Sequence, residues 1–253
     1  MVRNDGASVR ARNHQRKSHA RFTTSSADPT LRIGNAMTAV PIDRSRGVRL
    51  GWAASATIST ALAVVSYRYL AGQGPVPANV AANRHFDPSI AVHAGGAATA
   101  LLPGPWQFLP GLRARWPSVH RWIGRLYAAG CASGGLAALV LATGLTTGPV
   151  AGAGFATLGL AWLATTGLAI REALARRIAS HRRRMIRSFA LTLSALTLRL
   201  YLPLSGVLSI DFQTAYPAIA WVCWLPNLML AEVYLRRRAT GVDAARPVTI
   251  SQE

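Results

Sequence analysis

The sequence predicts an all-α integral membrane bundle of about six transmembrane helices. Past about position 48 the apolar residues gather into long runs, and a run of about 18 or more mostly apolar residues can span a hydrocarbon core of roughly 30 Å. The stretches between the runs are short and hold too little polar material to cover six such helices with water-soluble surface. Arginines load every second loop, the alternation expected of a chain that crosses a membrane repeatedly.

Residues 1–47 read as a separate basic segment. Arg10, Arg12, Arg16, Lys17 and Arg21 lie among Ser, Asn and Thr with no apolar period. Such a composition cannot bury a core and predicts disorder. It also lacks the apolar stretch of a signal peptide. A start of translation at Met37 would leave only Arg44, Arg46 and Arg49 ahead of the first helix.

The bundle itself is expected over 48–238. Its apolar runs are 48–70, 88–109, 120–144, 150–170, 188–210 and 215–235. The second is interrupted by Pro103, Gly104 and Pro105, the fifth carries Arg199, and the sixth carries Pro217, Pro226, Asn227 and Glu232. Gly124, Ala128 and Ala132, spaced by four in the third run, let helix backbones approach closely in lipid. Residues 239–253 form a polar tail expected to be disordered and cytoplasmic.

Charge sets the orientation. Arg113, Arg115, Arg121 and Arg125 bracket the start of the third run. Arg171, Arg176, Arg177, Arg182, Arg183, Arg184 and Arg187 fill the loop between the fourth and fifth, and Arg236, Arg237 and Arg238 follow the sixth. The other loops contain only Arg68, Arg84, Asp87 and Asp211 as charges. The pattern predicts a multi-pass protein of the bacterial cell inner membrane with both termini cytoplasmic.

The net charge of +19 first suggests nucleic acid. Here it flanks apolar runs, so a lipid bilayer is the expected partner and nucleic acid is not. Cys131 and Cys223 each lie inside an apolar run, where a free thiol packs as a small hydrophobe. No Cys/His spacing indicates zinc or an iron–sulfur cluster. No Ser, Cys or Asp arrangement indicates hydrolysis, and no glycine loop indicates phosphate binding.

Two groups of residues could carry chemistry. Arg199 falls near the middle of the fifth run, where a charge is costly and usually faces the bundle interior or a wet cavity. The prolines at 103 and 105 leave the carbonyls of Thr99 and Leu101 without donors, and these are the expected partners of its guanidinium. Ser188 and Thr192 fall on the same helical face as Arg199. The structural alternative is an arginine that locks the bundle through neighbouring carbonyls.

The second group is histidine. His120 and His181 begin the third and fifth helices on one side of the membrane, in a layer with Gln107, Arg121, Arg125, Arg187 and Glu232. Glu232 is also four residues from Arg236, a favourable helical pairing. Imidazole is a common ligand of haem iron, and two axial histidines must share a depth, as these two do. His93 lies roughly 8 Å below the opposite surface at about 1.5 Å per residue. The spacing therefore admits one b-type haem on His120 and His181, with His93 and Arg199 supporting. It equally admits histidines resting at headgroup level, or a quinone or anionic lipid bound by the polar layer.

Two stretches carry a family resemblance. One runs from His93-Ala94-Gly95 through Pro103-Gly104-Pro105-Trp106-Gln107 to His120-Arg121-Trp122-Ile123-Gly124-Arg125-Leu126-Tyr127. The other runs from His181-Arg182 through Met185-Ile186-Arg187-Ser188 to Thr197-Leu198-Arg199. Together they resemble the DUF2306 family of bacterial polytopic membrane proteins. The family element has Trp just before the Met, where this chain has Arg184. The resemblance implies that the His, Gln and Arg positions form a shared site, and it implies no particular activity. The functional expectations are thus a membrane redox component holding haem, a transporter or lipid-binding protein with an anionic site on Arg199, or an assembly factor without a ligand.

Overall fold

The computed structural model describes residues 44–73, 76 and 78–243. The expectations for residues 1–43 and 244–253 lie outside them. The helices are α1 (Arg44–Ser66), α2 (Ala78–Ala81), α3 (Phe86–Leu101), α4 (Pro110–Arg115), α5 (Pro117–Thr143), α6 (Pro149–Leu174), α7 (Ile178–Thr192), α8 (Ser194–Val207), α9 (Phe212–Val222) and α10 (Leu225–Asp243). Turns of 3-10 helix follow α1 and α3, and there is no strand among the described residues.

Five spans are long and apolar enough to cross a membrane: Arg49–Ala71, Pro117–Thr143, Pro149–Leu174, Ile178–Val207 and Phe212–Ala239. The remaining run, the second (88–109), gives a shorter helix. Pro103 and Pro105 stop α3 at 16 residues, roughly 24 Å at 1.5 Å per residue. The chain then finishes that run as a 3-10 turn, Pro105–Phe108. The first helix begins at Arg44, a few residues ahead of the apolar run, and the last continues to Asp243.

Local chemistry explains most of the helix ends. Pro117 and Pro149 open α5 and α6 at the first helical position, where no N–H is needed and the fixed φ suits the helix. Gly148 turns the chain into α6 at φ 94°, a left-handed conformation that favours glycine. Asp211 caps α9 by accepting from the amides of Gln213 and Thr214. The last two spans are each broken once. At the α7–α8 junction, Thr192 returns its hydroxyl to the Ser188 carbonyl, a back-bond that bends helices. At the α9–α10 junction Pro226 lacks the donor the helix would require.

The interior is made of small residues. α3 and α5 pack antiparallel along their whole shared length, and a Cβ on Gly96 would stand 2.5 Å from the amide nitrogen of Gly134. A Cβ on Gly130 would meet the Gly96 carbonyl at 2.6 Å. α6 packs on α5 and α7, and α9 closes against α6. Larger side chains fill the centre, where Tyr127, Cys131, Trp162, Leu191, Cys223 and Trp224 are buried together, and two smaller clusters hold Leu101 and Tyr216. The surface is the reverse of a soluble protein's: Val207 is 80% exposed, Leu174 81% and Leu230 69%. So much outward-facing aliphatic surface fits hydrocarbon as the surrounding solvent.

Candidate functional site: a histidine layer and a buried hydroxyl lock

The candidate residues divide between two depths. At the arginine-rich end, the turn after α3 and the starts of α5 and α7 converge. Gln107 is buried there, and its amide Nε2 donates to the His120 carbonyl at 3.4 Å. Its Oε1 lies against Gly124, 3.5 Å from where a Cβ would be. Arg113 donates to the Gln107 carbonyl at 3.4 Å. The structure therefore brings Gln107 and His120 together across 13 residues of sequence.

His181 stands close by. Its Nδ1 is 2.9 Å from the Ala169 carbonyl at the end of α6. Carbonyl oxygens only accept, so this contact places the proton on Nδ1 and leaves Nε2 as the ring's lone-pair nitrogen. Arg113, His181 and Arg121 all lie within electrostatic reach of His120, so the two imidazoles share one neighbourhood. The Nδ1 of His120 is buried and has no hydrogen-bond partner among the described residues.

Other members of the expected layer have partners of their own. Arg187 and Glu232 form a two-pronged ion pair between α7 and α10: Nε donates to Oε1, and Nη2 donates to Oε2 at 2.9 Å. The charge of Arg236 also reaches Glu232. Arg125 lies over the Trp122 ring at 5.1 Å, and Arg121 donates to Ser118 at 3.2 Å.

Arg199 departs from its expected place. It is accessible on α8, and its guanidinium turns toward α1. Its guanidinium donates to the Ala195 carbonyl at 3.0 Å and to the Ser66 hydroxyl of α1 at 3.2 Å. The carbonyls of Thr99 and Leu101 are not its partners, for a geometric reason. Arg199 follows His181 by 18 residues, roughly 27 Å along the chain axis at 1.5 Å per residue. That carries it toward the far end of the bundle, whereas α3 ends at the arginine-rich end. His93 is nearer, and the charge of Arg199 reaches it. His93 holds its own Nδ1 2.9 Å from the Gly134 carbonyl, inside the α3–α5 seam.

The most connected polar group among the described residues is a hydroxyl cluster of which only Ser188 and Thr192 stand out in the sequence. The Tyr127 hydroxyl lies 2.8 Å from both Ser188 Oγ and Thr192 Oγ1. Thr166 Oγ1 is 2.7 Å from Ser188 Oγ, and the Trp162 indole donates to Thr192 Oγ1 at 2.9 Å. Thr166 also donates to the Trp162 carbonyl, and Thr192 to the Ser188 carbonyl. Following the protons shows what the cluster is. Each threonine hydrogen ends on a backbone carbonyl, so Ser188 donates to Thr166 and Tyr127 donates to Ser188 or Thr192. The network closes on itself and locks α5, α6 and α7 in register. A sequence signal existed: Tyr127 follows His120 by seven residues and Ser188 follows His181 by seven, so each pair shares a helical face. Glu172, buried near the end of α6 between Arg171 and Arg177, was also missed.

A family model described as "Predicted membrane protein (DUF2306)" matches residues 90–235, from within α3 into α10. The chain belongs to the DUF2306 family. No curated protein and no solved structure matches. The DUF2306 match contains both histidines of the layer, Gln107, the hydroxyl lock and the Arg187–Glu232 pair. It begins after α1, so Ser66, the partner of Arg199, lies outside it.

Proposed function

We propose that this protein is a redox component of the bacterial inner membrane that holds one b-type haem, whose iron His120 and His181 would hold. The observation that carries the proposal is the His181–Ala169 contact. A ring whose Nδ1–H is tied to a backbone carbonyl presents Nε2 in a fixed direction, the arrangement usual for metal-ligating histidine. The buried, unpartnered ring nitrogen of His120 beside it supports a ligand in the same place. The donor set also favours haem over a bare ion. Among the described residues no three His, Cys, Asp or Glu side chains gather to hold a metal. Haem iron takes only axial ligands from the protein.

Bound haem would supply one-electron transfer. The chain's own residues supply the setting. Ala169 holds the His181 ring, Gln107 fixes the first turn of α5 through the His120 carbonyl, and the hydroxyl lock keeps α5 and α7 in register. The arginine loading of this end supports placing it, with both termini, on the cytoplasmic side. The alternative with an anionic site on Arg199 has less support, because that guanidinium already donates to Ser66 and Ala195.

The test is an optical spectrum of the protein purified from haem-replete cells. A Soret band is expected, lost in His120→Ala and in His181→Ala and kept in His85→Ala. Protein that folds and carries no haem absorbance would end this reading.

A further inference from the structure

The geometry points to a binding site for an anionic phospholipid headgroup on the outer edge of α4 and the first turns of α5, built from Arg113, Arg115, Arg121 and Arg125 with Trp116 and Trp122. This site is independent of any haem.

Each of the four guanidiniums is held by a neutral group. Arg113 donates to the Gln107 carbonyl at 3.4 Å, and Arg121 to the Ser118 hydroxyl at 3.2 Å. Arg115 lies over the Trp116 ring at 5.7 Å, and Arg125 over Trp122 at 5.1 Å. Every partner is neutral, and among the described residues none of the four has a carboxylate. Elsewhere at this end Arg187 pairs with Glu232, Arg171 and Arg177 share the one carboxylate of Glu172, and Arg183 donates to the Ser180 hydroxyl. Four positioned and uncompensated charges within 13 residues of chain call for an anion from outside the protein.

The surroundings identify its source. Val119, Trp122, Leu126, Leu136 and Val140 are all exposed and form one stripe down α5. That stripe faces lipid along the helix. Trp116 and Trp122, 56% and 64% exposed, stand at its arginine-rich end, the level at which indoles meet headgroups. A ligand at the arginines therefore has acyl-compatible surface directly beside it. An anionic phospholipid satisfies both halves, with its phosphate on the guanidiniums and its chains along the stripe.

The experiment is native mass spectrometry of the full-length protein after exposure to an equimolar mixture of phosphatidylglycerol and phosphatidylcholine. Wild type should retain phosphatidylglycerol preferentially. Combined Arg113→Gln, Arg115→Gln, Arg121→Gln and Arg125→Gln should abolish the preference. A control with the same loss of charge, Arg176→Gln, Arg182→Gln, Arg183→Gln and Arg184→Gln, should keep it, because that loop has no exposed indoles. Combined Trp116→Ala and Trp122→Ala leaves the charge unchanged and should weaken the preference. This variant decides the matter if the first does not fold. No preference in wild type, an equal loss in the control, or an unaltered preference in the tryptophan variant would overturn the site. Displacement of the bound lipid by inorganic phosphate alone would overturn its assignment to a lipid.

Discussion

Gly96 of α3 and Gly134 of α5 meet backbone to backbone, with no room between them for even a methyl group: a Cβ on Gly96 would lie 2.5 Å from the Gly134 nitrogen. This contact sets the distance between the two most intimately packed helices and places His93 against the Gly134 carbonyl. Gly96→Ala should therefore destabilise the protein by about 1–3 kcal/mol through overpacking. Gly124→Ala, whose Cβ would make ordinary contact with Gln107 at 3.5 Å, should be close to neutral. Thermal unfolding in detergent compares the two, and equal melting temperatures would show that the α3–α5 seam yields easily.

The hydroxyl lock predicts an order of costs. Tyr127→Phe removes one hydroxyl, while Ser188 keeps Thr166 and Thr192 keeps the Trp162 indole. The expected loss is about 1 kcal/mol. Thr192→Val strands the buried Trp162 N–H and removes an acceptor of Tyr127, so it should cost more, about 1–3 kcal/mol. Unfolding of both variants in mixed detergent checks the order, and a larger loss from Tyr127→Phe would mean the protons are arranged differently.

The Arg187–Glu232 pair is about one-third exposed on each partner, which limits its worth. A double-mutant cycle with Arg187→Ala and Glu232→Ala should give a coupling of about 1 kcal/mol or less that weakens in high salt. Arg187→Lys retains the charge and loses the fork, so it should recover only part of that coupling. Zero coupling would mean that α7 and α10 are held together by packing alone.

Arg199 should behave as a structural tie between α8 and α1. Ser66→Ala and Arg199→Ala should then be less than additive in unfolding experiments, because both remove the same bond. Full additivity would assign Arg199 another role.

Orientation is tested with reporter fusions. A fusion at Thr147, between α5 and α6, should report the periplasm, and one at Arg176, between α6 and α7, the cytoplasm. The reverse result would invert the proposed orientation and place the histidine layer on the outer face.

The sequence by itself determined the class of this protein and where its helices run, because both follow from local, additive properties. Apolar length decides whether a segment can leave water, and proline and glycine punctuate where it turns. Pro117, Pro149 and Asp211 mark helix starts that can be read along the chain. Depth follows from counting residues along a helix, which is why Gln107 and His120, joined by one hydrogen bond, could be assigned to one end. What counting cannot supply is rotation about the helix axis and the choice of neighbour. Arg199 looked interior from its position in an apolar run. The packing of α8 beside α1 instead gave it the Ser66 hydroxyl as a partner. Glu232 had Arg236 four residues away as a local partner, yet the tertiary packing brought it Arg187. Tyr127, Thr166, Ser188 and Thr192 are unremarkable singly, because a hydroxyl in an apolar run can always satisfy itself on its own helix. They became a lock only when the glycine seams drew three helices close enough for those hydroxyls to meet one another.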